Sequence, residues 1–321
     1  MHRWVIGVDL GGTLIRAIRT DLAGGKGARA QMPTEAEQGG EAVLERICSV
    51  IEEVIQEVDS EEVLGIGVGA PGPIDASGRI YDPPNLPGFG DLSLSGYIHD
   101  RFGRPAFAGN DANLAALGEH QFGAGQGVDD MVYLTISTGI GGGIISAGRL
   151  LLGARGYAAE VGHQTLVAGG PICGCGQPGH LEALASGPSI VRNAKERIEA
   201  GETSRIAEFG DDITGESIAE AAQAGDELAQ DLFRQAGFYI GLGLVNLIHI
   251  LEPQRVLIGG GVSLAGDLIF DPIRETVRER VMSPVFLDVE ILPAALGVDV
   301  GLMGAVALVL SSTASSSMAS V

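Results

Sequence analysis

Lysine is almost missing from this 321-residue chain: Lys26 and Lys195 are the only two. Twenty Lys and Arg stand against 41 Asp and Glu, and the net charge is −21. Such a surface repels a phosphate backbone, which argues against a nucleic-acid partner. The acidity itself reads as solubility or adaptation to salt and says nothing about fold. Cysteine is scarce as well, and three are too few for a disulfide scaffold in a chain this long. Cys48 stands alone in a helix-like stretch and reads as a small core residue. No apolar run reaches the roughly 18 residues that a membrane helix needs. Met1 to Asp9 runs straight into a strand-like pattern and does not read as a signal peptide. The expectation is a soluble, cytoplasmic protein with no membrane partner.

What the chain has in excess is glycine, 50 of 321 residues, about twice the usual ~7%. The glycines gather at the ends of apolar runs rather than in a linker, as in loops whose backbone must approach a ligand. Trp4 to Asp9 reads as a buried strand, closed by Gly11-Gly12-Thr13, and Leu14 to Thr20 as its returning arm. Gly40 to Glu57 places Val43, Leu44, Ile47, Val50, Ile51, Val54 and Ile55 at helical spacing. Val63 to Val68 is a short strand broken by Gly69-Ala70-Pro71-Gly72-Pro73. Ala106 to Gly109 leads into Asn110-Asp111-Ala112-Asn113, and Asn113 to Phe122 reads as helix. The pattern then restarts. Met131 to Ser137 is a strand, closed by Thr138 to Gly143, with Ile144 to Ala147 as the second arm. Ser186–Ala200, Ser217–Ala224, Asp226–Ile250 and Pro272–Val281 read as helices, with strands at Arg255–Ile258 and Val289–Leu292. Gly301 to Leu310 is a closing apolar helix. The Ser/Ala tail from Ser311 has little to bury and reads as frayed.

Two strand–glycine loop–strand hairpins, each opening an α/β half, predict an internally duplicated α/β architecture of two lobes with a cleft. One lobe would comprise residues 1–115 plus 301–321, with the first glycine loop and Asp111. The other, residues 116–300, would hold the second and third glycine loops and the cysteine–histidine segment.

Four motifs carry chemistry. In Asp9-Leu10-Gly11-Gly12-Thr13, backbone N–H groups of the glycine turn can cradle phosphate oxygens, Thr13 adds a hydroxyl, and Asp9 can hold Mg²⁺. A plain hairpin turn with a capping Asp explains the same residues as well. Ser137 to Gly143 is a second glycine loop. It lacks the G-K-[ST] of a Walker A loop and the βαβ unit of a dinucleotide fingerprint. Gly259-Gly260-Gly261 after a third strand makes three such loops, which favours nucleotide binding. In Gly109-Asn110-Asp111-Ala112-Asn113, Asp111 at a strand end suits a general base, and Asn110 could bond a sugar hydroxyl. The commoner role of an Asp or Asn in this setting is a helix cap; Asn113 could do that capping, leaving Asp111 unexplained. Finally, His163, Cys173, Cys175 and His180 fall within eighteen positions. Each histidine alone would be an ordinary one, but this donor set and spacing suit zinc. Glu160 and Glu182 bracket the segment and are left for other work.

Taken together these residues resemble the ROK family of bacterial sugar kinases and sugar-responsive repressors, from Asp9 to about Gly304. D-L-G-G-T at Asp9–Thr13 is similar to its first phosphate loop and G-N-D-A-N at Gly109–Asn113 to its catalytic segment. S-T-G-I-G-G-G at Ser137–Gly143 is similar to its second phosphate loop. E-V-G-H at Glu160–His163 with C-G-C-G-Q-P-G-H-L-E at Cys173–Glu182 is similar to its signature. The resemblance implies a two-lobed actin-like ATPase fold and ATP-dependent phosphorylation of a hexose, glucose foremost, at its 6-hydroxyl. Asp111 would be the base. Asn85, Asn110, Glu160, His163 and Glu182 would hold the other hydroxyls. Asp9, Gly11, Gly12 and Thr13 would face phosphates and Mg²⁺, and Thr138 and Gly139 the transferred phosphoryl group. Gly141, Gly142, Gly260 and Gly261 would line the nucleotide. His163, Cys173, Cys175 and His180 would hold a structural Zn²⁺, with the other nitrogen of His163 on the sugar. A homodimer or higher homo-oligomer is the family expectation. Three positions depart from the family pattern. His180 stands where a third cysteine is usual, Ala159 where glycine is frequent, and Phe89 where glucokinases often carry Trp. An N-acetylhexosamine or fructose kinase and a non-catalytic sugar sensor are the alternatives. A repressor would need an N-terminal helix-turn-helix, and a zinc hydrolase an open metal position.

Overall fold

The computed structural model describes residues 3–75, 77–81 and 91–318. Asn85 and Phe89 lie outside the described residues. In chain order the first half runs β1 (Trp4–Leu10), β2 (Leu14–Asp21), β3 (Lys26–Pro33), α1 (Gly40–Ile55), β4 (Val63–Ala70), β5 (Arg79–Tyr81), β6 (Asp91–Ser93), α2 (Leu94–Phe102), β7 (Ala106–Asn110) and α3 (Asp111–Phe122). The second half runs β8 (Met131–Ile136), β9 (Ile140–Ser146), β10 (Arg149–Leu150), α4 (Leu181–Ala185), α5 (Gly187–Glu199), α6 (Gly215–Gln223), α7 (Glu227–Leu251), β11 (Arg255–Gly259), α8 (Asp267–Arg280), β12 (Glu290–Pro293) and α9 (Val300–Met318).

One connectivity occurs twice. The first sheet has the order β3-β2-β1-β4-β7 and the second β10-β9-β8-β11-β12. In the first, β1–β2 and β2–β3 are antiparallel while β1–β4 and β4–β7 are parallel. In the second, β9–β10 is antiparallel while β8–β11 and β11–β12 are parallel. The duplication expected from the two hairpins is therefore present. β5 and β6 form a separate antiparallel ribbon. The chain packs into two compact units, one of Met1–Val128, Gly143–Ala159 and Ala295–Val321, the other of Asp129–Gly142 and Glu160–Ala294.

In the first unit the alternation of β1 sorts side chains onto two faces. Ile6, Val8 and Leu10 pack with Val43, Leu44, Ile47 and Ile51 of α1. Val5 and Ile18 face Leu302, Val306 and Val309 of α9. Burying each of those three α9 side chains contributes roughly 1.5–3 kcal/mol. Gly7 and Gly67 lie under α9 as well. A Cβ on Gly7 would sit 2.5 Å from the Leu302 carbonyl oxygen, and one on Gly67 2.0 Å from that of Ala305. α9 also packs on α3, where Gly304 meets the Leu114 carbonyl. In the second unit α7 packs with α8 and with α4, α5 and α6.

Several expectations need correction. β3 is an addition to the expected strands: Ala28-Arg29-Ala30-Gln31-Met32 does alternate apolar and polar residues, but two of its three inward residues are alanines, a weak strand signal, and only Ala30 is fully buried. The helix read from Pro272 begins at Asp267; Pro272 lies inside it, and the reading took a helix breaker for a start. The Ser/Ala tail is helical through Met318 as an extension of α9. Residues 297–314 do reach the length and apolarity of a membrane helix, contrary to the sequence reading. That stretch is packed against β1, β4 and α3 in the position of a core helix.

Gly67→Ala should destabilise the protein by about 3 kcal/mol, because the added carbon meets a carbonyl that cannot retreat without moving α9. Gly12→Ala, with nothing within 4 Å of the new carbon, should leave the midpoint unchanged. Urea denaturation of the two variants checks the contrast.

Candidate functional site

Parallel strands β1, β4 and β7 end in register, with Asp9 opposite Gly69 and Gly69 opposite Gly109. Their carboxyl ends therefore share one edge, where open α/β sheets bind ligands. Asp9 is half-buried and pairs with Arg16, its partner across the hairpin. Arg16 also donates to the Val298 carbonyl at 2.7 Å. The second oxygen of Asp9 accepts no hydrogen bond among the described residues and is the one a hydrated Mg²⁺ would use. The following turn is held from behind. Gly11 N–H donates to the Leu14 carbonyl at 2.9 Å, Thr34 Oγ1 donates to the Gly11 carbonyl at 2.7 Å, and Thr34 N–H donates to the Thr13 carbonyl at 2.8 Å. Gly12 and Thr13 are exposed.

At the end of β7 the cap of α3 is Asn110, not Asn113. Asn110 Oδ1 accepts from the N–H groups of Ala112 (3.0 Å) and Asn113 (3.2 Å), while its Nδ2 donates to the Gly72 carbonyl at 3.3 Å. Both ends of Asn110 thus hold the turn together. Asn113 is buried, and its Oδ1 has no hydrogen-bond partner among the described residues. Asp111 is the first residue of α3 and is exposed, with one oxygen accepting from Ala112 N–H at 2.8 Å. A helix N-terminus is a favourable place for a negative charge.

In the second unit β8 and β11 also end in register, Thr135 opposite Gly259. The turn after β8 is tight: Ser137 N–H donates to the Gly139 carbonyl at 2.9 Å, and β9 begins at Ile140. Gly141, Gly142 and Gly143 are therefore strand residues rather than loop. Gly142 lies against Val161, where a Cβ would come within 2.5 Å of the valine side chain. A cavity of about 650 Å³ opens beside these strand ends, lined by Ser137, Thr138, Gly187, Pro188, Thr214, Glu216, Phe233 and Gly261, among others. Of the expected nucleotide and phosphoryl residues it brings together Thr138 and Gly261. Gly139, Gly141, Gly142 and Gly260 do not line it, and Gly260 packs on the end of β8. The starts of α5 and α6 were missed as lining elements. Their signals were present: Pro188 in the first turn of α5, and the Thr214–Ser217 capping box of α6. Both mark helix N-termini, whose free N–H groups suit anions.

His163, Cys173, Cys175 and His180 are brought together, with their ligand atoms all within 4.8 Å of one another. Cys173 Sγ lies 3.7 Å from His163 Nδ1, and Cys175 Sγ lies 3.3 Å from His180 Nδ1. Tetrahedral zinc with bonds of 2.0–2.3 Å has ligand–ligand edges of about 3.3–3.8 Å; these two separations match, and the wider ones, up to 4.8 Å, would have to close around an ion. The loop earns its shape locally. Cys173 N–H donates to the Gln177 carbonyl at 2.9 Å, Gly176 N–H to the Cys173 carbonyl at 2.8 Å, and bridges join Ile172 to Pro178 and Thr165 to His180. Gly179, at φ 73°, admits no side chain, since a Cβ would fall 1.7 Å from the Val167 carbonyl. Burial pushes the Cys173 thiol up to about 11, a cost that a bound cation would offset by taking the thiolate. His163 keeps Nε2 on the other side, 3.9 Å from the Glu160 carboxylate. Glu182 joins the cluster to the glycine turn. Its Oε1 accepts from the Cys173 thiol at 3.2 Å and its Oε2 from Ile140 N–H at 3.0 Å. Ala159, ahead of Glu160, has φ 69°, a left-handed conformation that explains why glycine suits this position.

The ROK family model matches residues 5–312. This chain belongs to the ROK family. A glucokinase of Halalkalibacterium halodurans is 36% identical over 309 residues, covering 94% of this chain and 93% of the relative. A xylose repressor of Caldicellulosiruptor bescii is 31% identical over 312 residues, covering 96% of this chain and 78% of the repressor. Among solved structures, a ROK family glucokinase from Streptomyces griseus in complex with glucose and AMPPNP superposes with a TM-score of 0.80 at 37% identity. It covers 95% of this chain and 98% of its own. The ROK sugar-kinase fold, that of the actin-like ATPases, is therefore the fold of this chain.

Ala159→Gly should raise stability by up to about 1 kcal/mol, the left-handed strain relieved less the added freedom of the unfolded chain. Guanidinium unfolding reads the difference.

Proposed function

We propose that this ROK protein is a hexose kinase of the glucokinase type, transferring the γ-phosphoryl group of ATP to the 6-hydroxyl of glucose. The observation that carries the reading is the exposed Asp111 carboxylate at the carboxyl end of a parallel strand, in a sheet whose register aligns that end with Asp9. Similarity to glucokinases over nearly the whole chain supports it.

Phosphoryl transfer asks the protein mainly to position and to neutralise charge. In this reading Asp111 accepts the proton of the attacking hydroxyl. Asn85, Asn110, Glu160, His163 and Glu182 hold the remaining hydroxyls. The N–H groups of Gly11, Gly12 and Thr13 face the phosphates, and Thr138 and Gly139 face the group in transit. The 650 Å³ cavity beside Gly261 takes the adenosine, with Phe233 and Val262 as apolar lining. Asp9 would hold Mg²⁺, which when bound neutralises phosphate charge. His163, Cys173, Cys175 and His180 would hold zinc as a structural ion: with four protein ligands it keeps no open position. Its place in the loop fixes His163; by taking Cys173 as a thiolate it would also release Glu182 Oε1 from the thiol for a sugar hydroxyl, while Oε2 stays on Ile140 N–H.

A second reading, a sugar-responsive regulator without catalysis, is favoured by the similarity to xylose repressors. Retention of Asp111 favours the kinase. A panel of glucose, N-acetylglucosamine, N-acetylmannosamine, mannose and fructose with ATP and coupled detection of ADP separates the readings. Glucose is expected to give the highest kcat/KM. Turnover with no sugar, while sugar still binds, would favour the regulator. Asp111→Ala should lower kcat by about 10²–10⁴-fold with sugar binding still measurable by calorimetry. Unchanged turnover in that variant would remove the assigned base.

Protein purified without chelator should carry close to one zinc per chain by elemental analysis, and Cys175→Ser should reduce it sharply. A metal-free wild type with full activity would exclude the structural ion.

A further inference from the structure

Among the described residues of the first unit Glu119 is the least exposed carboxylate, at 0%. It sits in α3, about two turns beyond Asp111. A buried charge is costly unless its oxygens are satisfied. No arginine, lysine or histidine pairs with it among the described residues. Instead it accepts three peptide N–H groups: Ala124 on Oε2 at 2.9 Å, and Ala295 and Leu296 on Oε1 at 2.9 and 2.7 Å. These donors come from two distant parts of the chain. The chain first leaves the first unit after Val128, returns for Gly143–Ala159, and re-enters it for the last time at Ala295. One carboxylate therefore ties a residue shortly before the exit to the residues of the entry.

The entry leads directly to Asp9. From Leu296 the chain makes one 3₁₀ turn, Gly297–Asp299, and becomes α9. Within that turn Asp299 N–H donates to the Leu296 carbonyl at 3.1 Å, and Asp299 is held by Lys26 and, at 2.8 and 2.9 Å, by Arg29. The Val298 carbonyl accepts from Arg16, whose other partner is Asp9. Gly301 then abuts the Asp9 carboxylate so closely that a Cβ there would lie 2.7 Å from its carbon. The segment is thus pinned at 295–296 by Glu119, and its far end bears on Asp9. Gly123 makes room for the pin: a Cβ on it would fall 2.1 Å from Glu119 Oε2.

We propose that Glu119 is a positioning residue for the phosphate end of the site, holding the 295–301 segment so that Asp9 and Arg16 keep their places. The proposal rests on the reading of Asp9 as the residue facing phosphates and Mg²⁺. Glu119 touches no substrate, and its effect should fall on the nucleotide rather than on the sugar.

Two variants test it by different routes. Glu119→Gln keeps the volume but turns one acceptor into a donor that must face an N–H group. Gly123→Ala leaves Glu119 intact and crowds its carboxylate. Each is compared with wild type for KM of MgATP, KM of glucose, and Kd of MgADP by calorimetry, with circular dichroism and melting curves to establish that the protein is folded at the assay temperature. Glu119→Gln is expected to raise the MgATP KM and the MgADP Kd about tenfold, the loss of one well-made bond to a charged group. The glucose KM should stay within twofold. Gly123→Ala should reproduce the pattern, and the double variant should be little worse than either alone, because both act through one carboxylate. A lowered melting temperature with unchanged nucleotide constants would reduce Glu119 to a stability residue and overturn the proposal. Equal shifts in sugar and nucleotide constants, or fully additive effects, would overturn it too. Should Glu119→Gln fail to fold, Gly123→Ala decides alone. A wild type that binds MgADP but phosphorylates no sugar would sink the kinase reading while leaving the MgADP comparison valid for Glu119.

Discussion

The carbonyl oxygens of Leu302 and Ala305 lie where Gly7 and Gly67 would otherwise carry side chains. This backbone-to-backbone approach of α9 onto the middle of the first sheet is the constraint from which the phosphate end of that unit follows. α9 can come this close only because both strands present glycine on one face, and the opposite side of the same helix repeats the device at Gly304 against α3. Helix, sheet and α3 are thereby fixed to one another. α3 carries Asp111 at its first position, β1 ends on Asp9, and the start of α9 abuts Asp9. At Gly7 and Gly67 no side chain fits between helix and sheet, and around them Val5, Ile18, Leu302, Val306 and Val309 fill the interface, so the placement of the two carboxylates depends on this packing.

The cysteine–histidine segment works by a different economy. It has almost no apolar core of its own, and Ile172 at its tip is exposed. Its form comes from tight turns at Gly176 and Gly179, two short bridges and the convergence of four donor atoms. Glu182 is the point where this segment meets the glycine turn after β8, one oxygen on each. A change in the cluster would therefore be felt at Ile140 through a single carboxylate, which gives His180, in the place of the family's usual cysteine, a consequence beyond the cluster itself.

Much of this was legible in the chain, and the exceptions have physical causes. The buried strands β1, β4, β8 and β11 announce themselves by short apolar runs ending in glycine, and α1 by seven apolar residues at helical spacing. The four donors His163, Cys173, Cys175 and His180 could be named because donor chemistry and close spacing are both written in sequence. β3 is faint in sequence because its alternation, Ala28-Arg29-Ala30-Gln31-Met32, is written mostly in alanine, which carries little strand preference and buries little area. The cap of α3 was misplaced because Asn110 and Asn113 are chemically alike and only the geometry of the β7 exit separates them. Glycine carried two meanings that sequence does not distinguish: Gly12 faces open space, whereas Gly142, Gly260 and Gly7 are glycine because backbone or a side chain occupies the place of a Cβ. The pin made by Glu119 is invisible for a third reason, since two of its three partners are peptide groups 176 and 177 residues away.

The central claim is that a carboxylate at the end of β7 and a glycine turn at the end of β1 serve one transfer of phosphoryl from ATP to the 6-hydroxyl of glucose. The most direct measurement incubates the wild-type protein with ATP labelled at the γ-phosphorus and either glucose or 6-deoxyglucose, and follows the label. The account predicts label in glucose 6-phosphate in proportion to the ADP formed and none on 6-deoxyglucose. Label released as inorganic phosphate with glucose present, or transferred equally to 6-deoxyglucose, would contradict it.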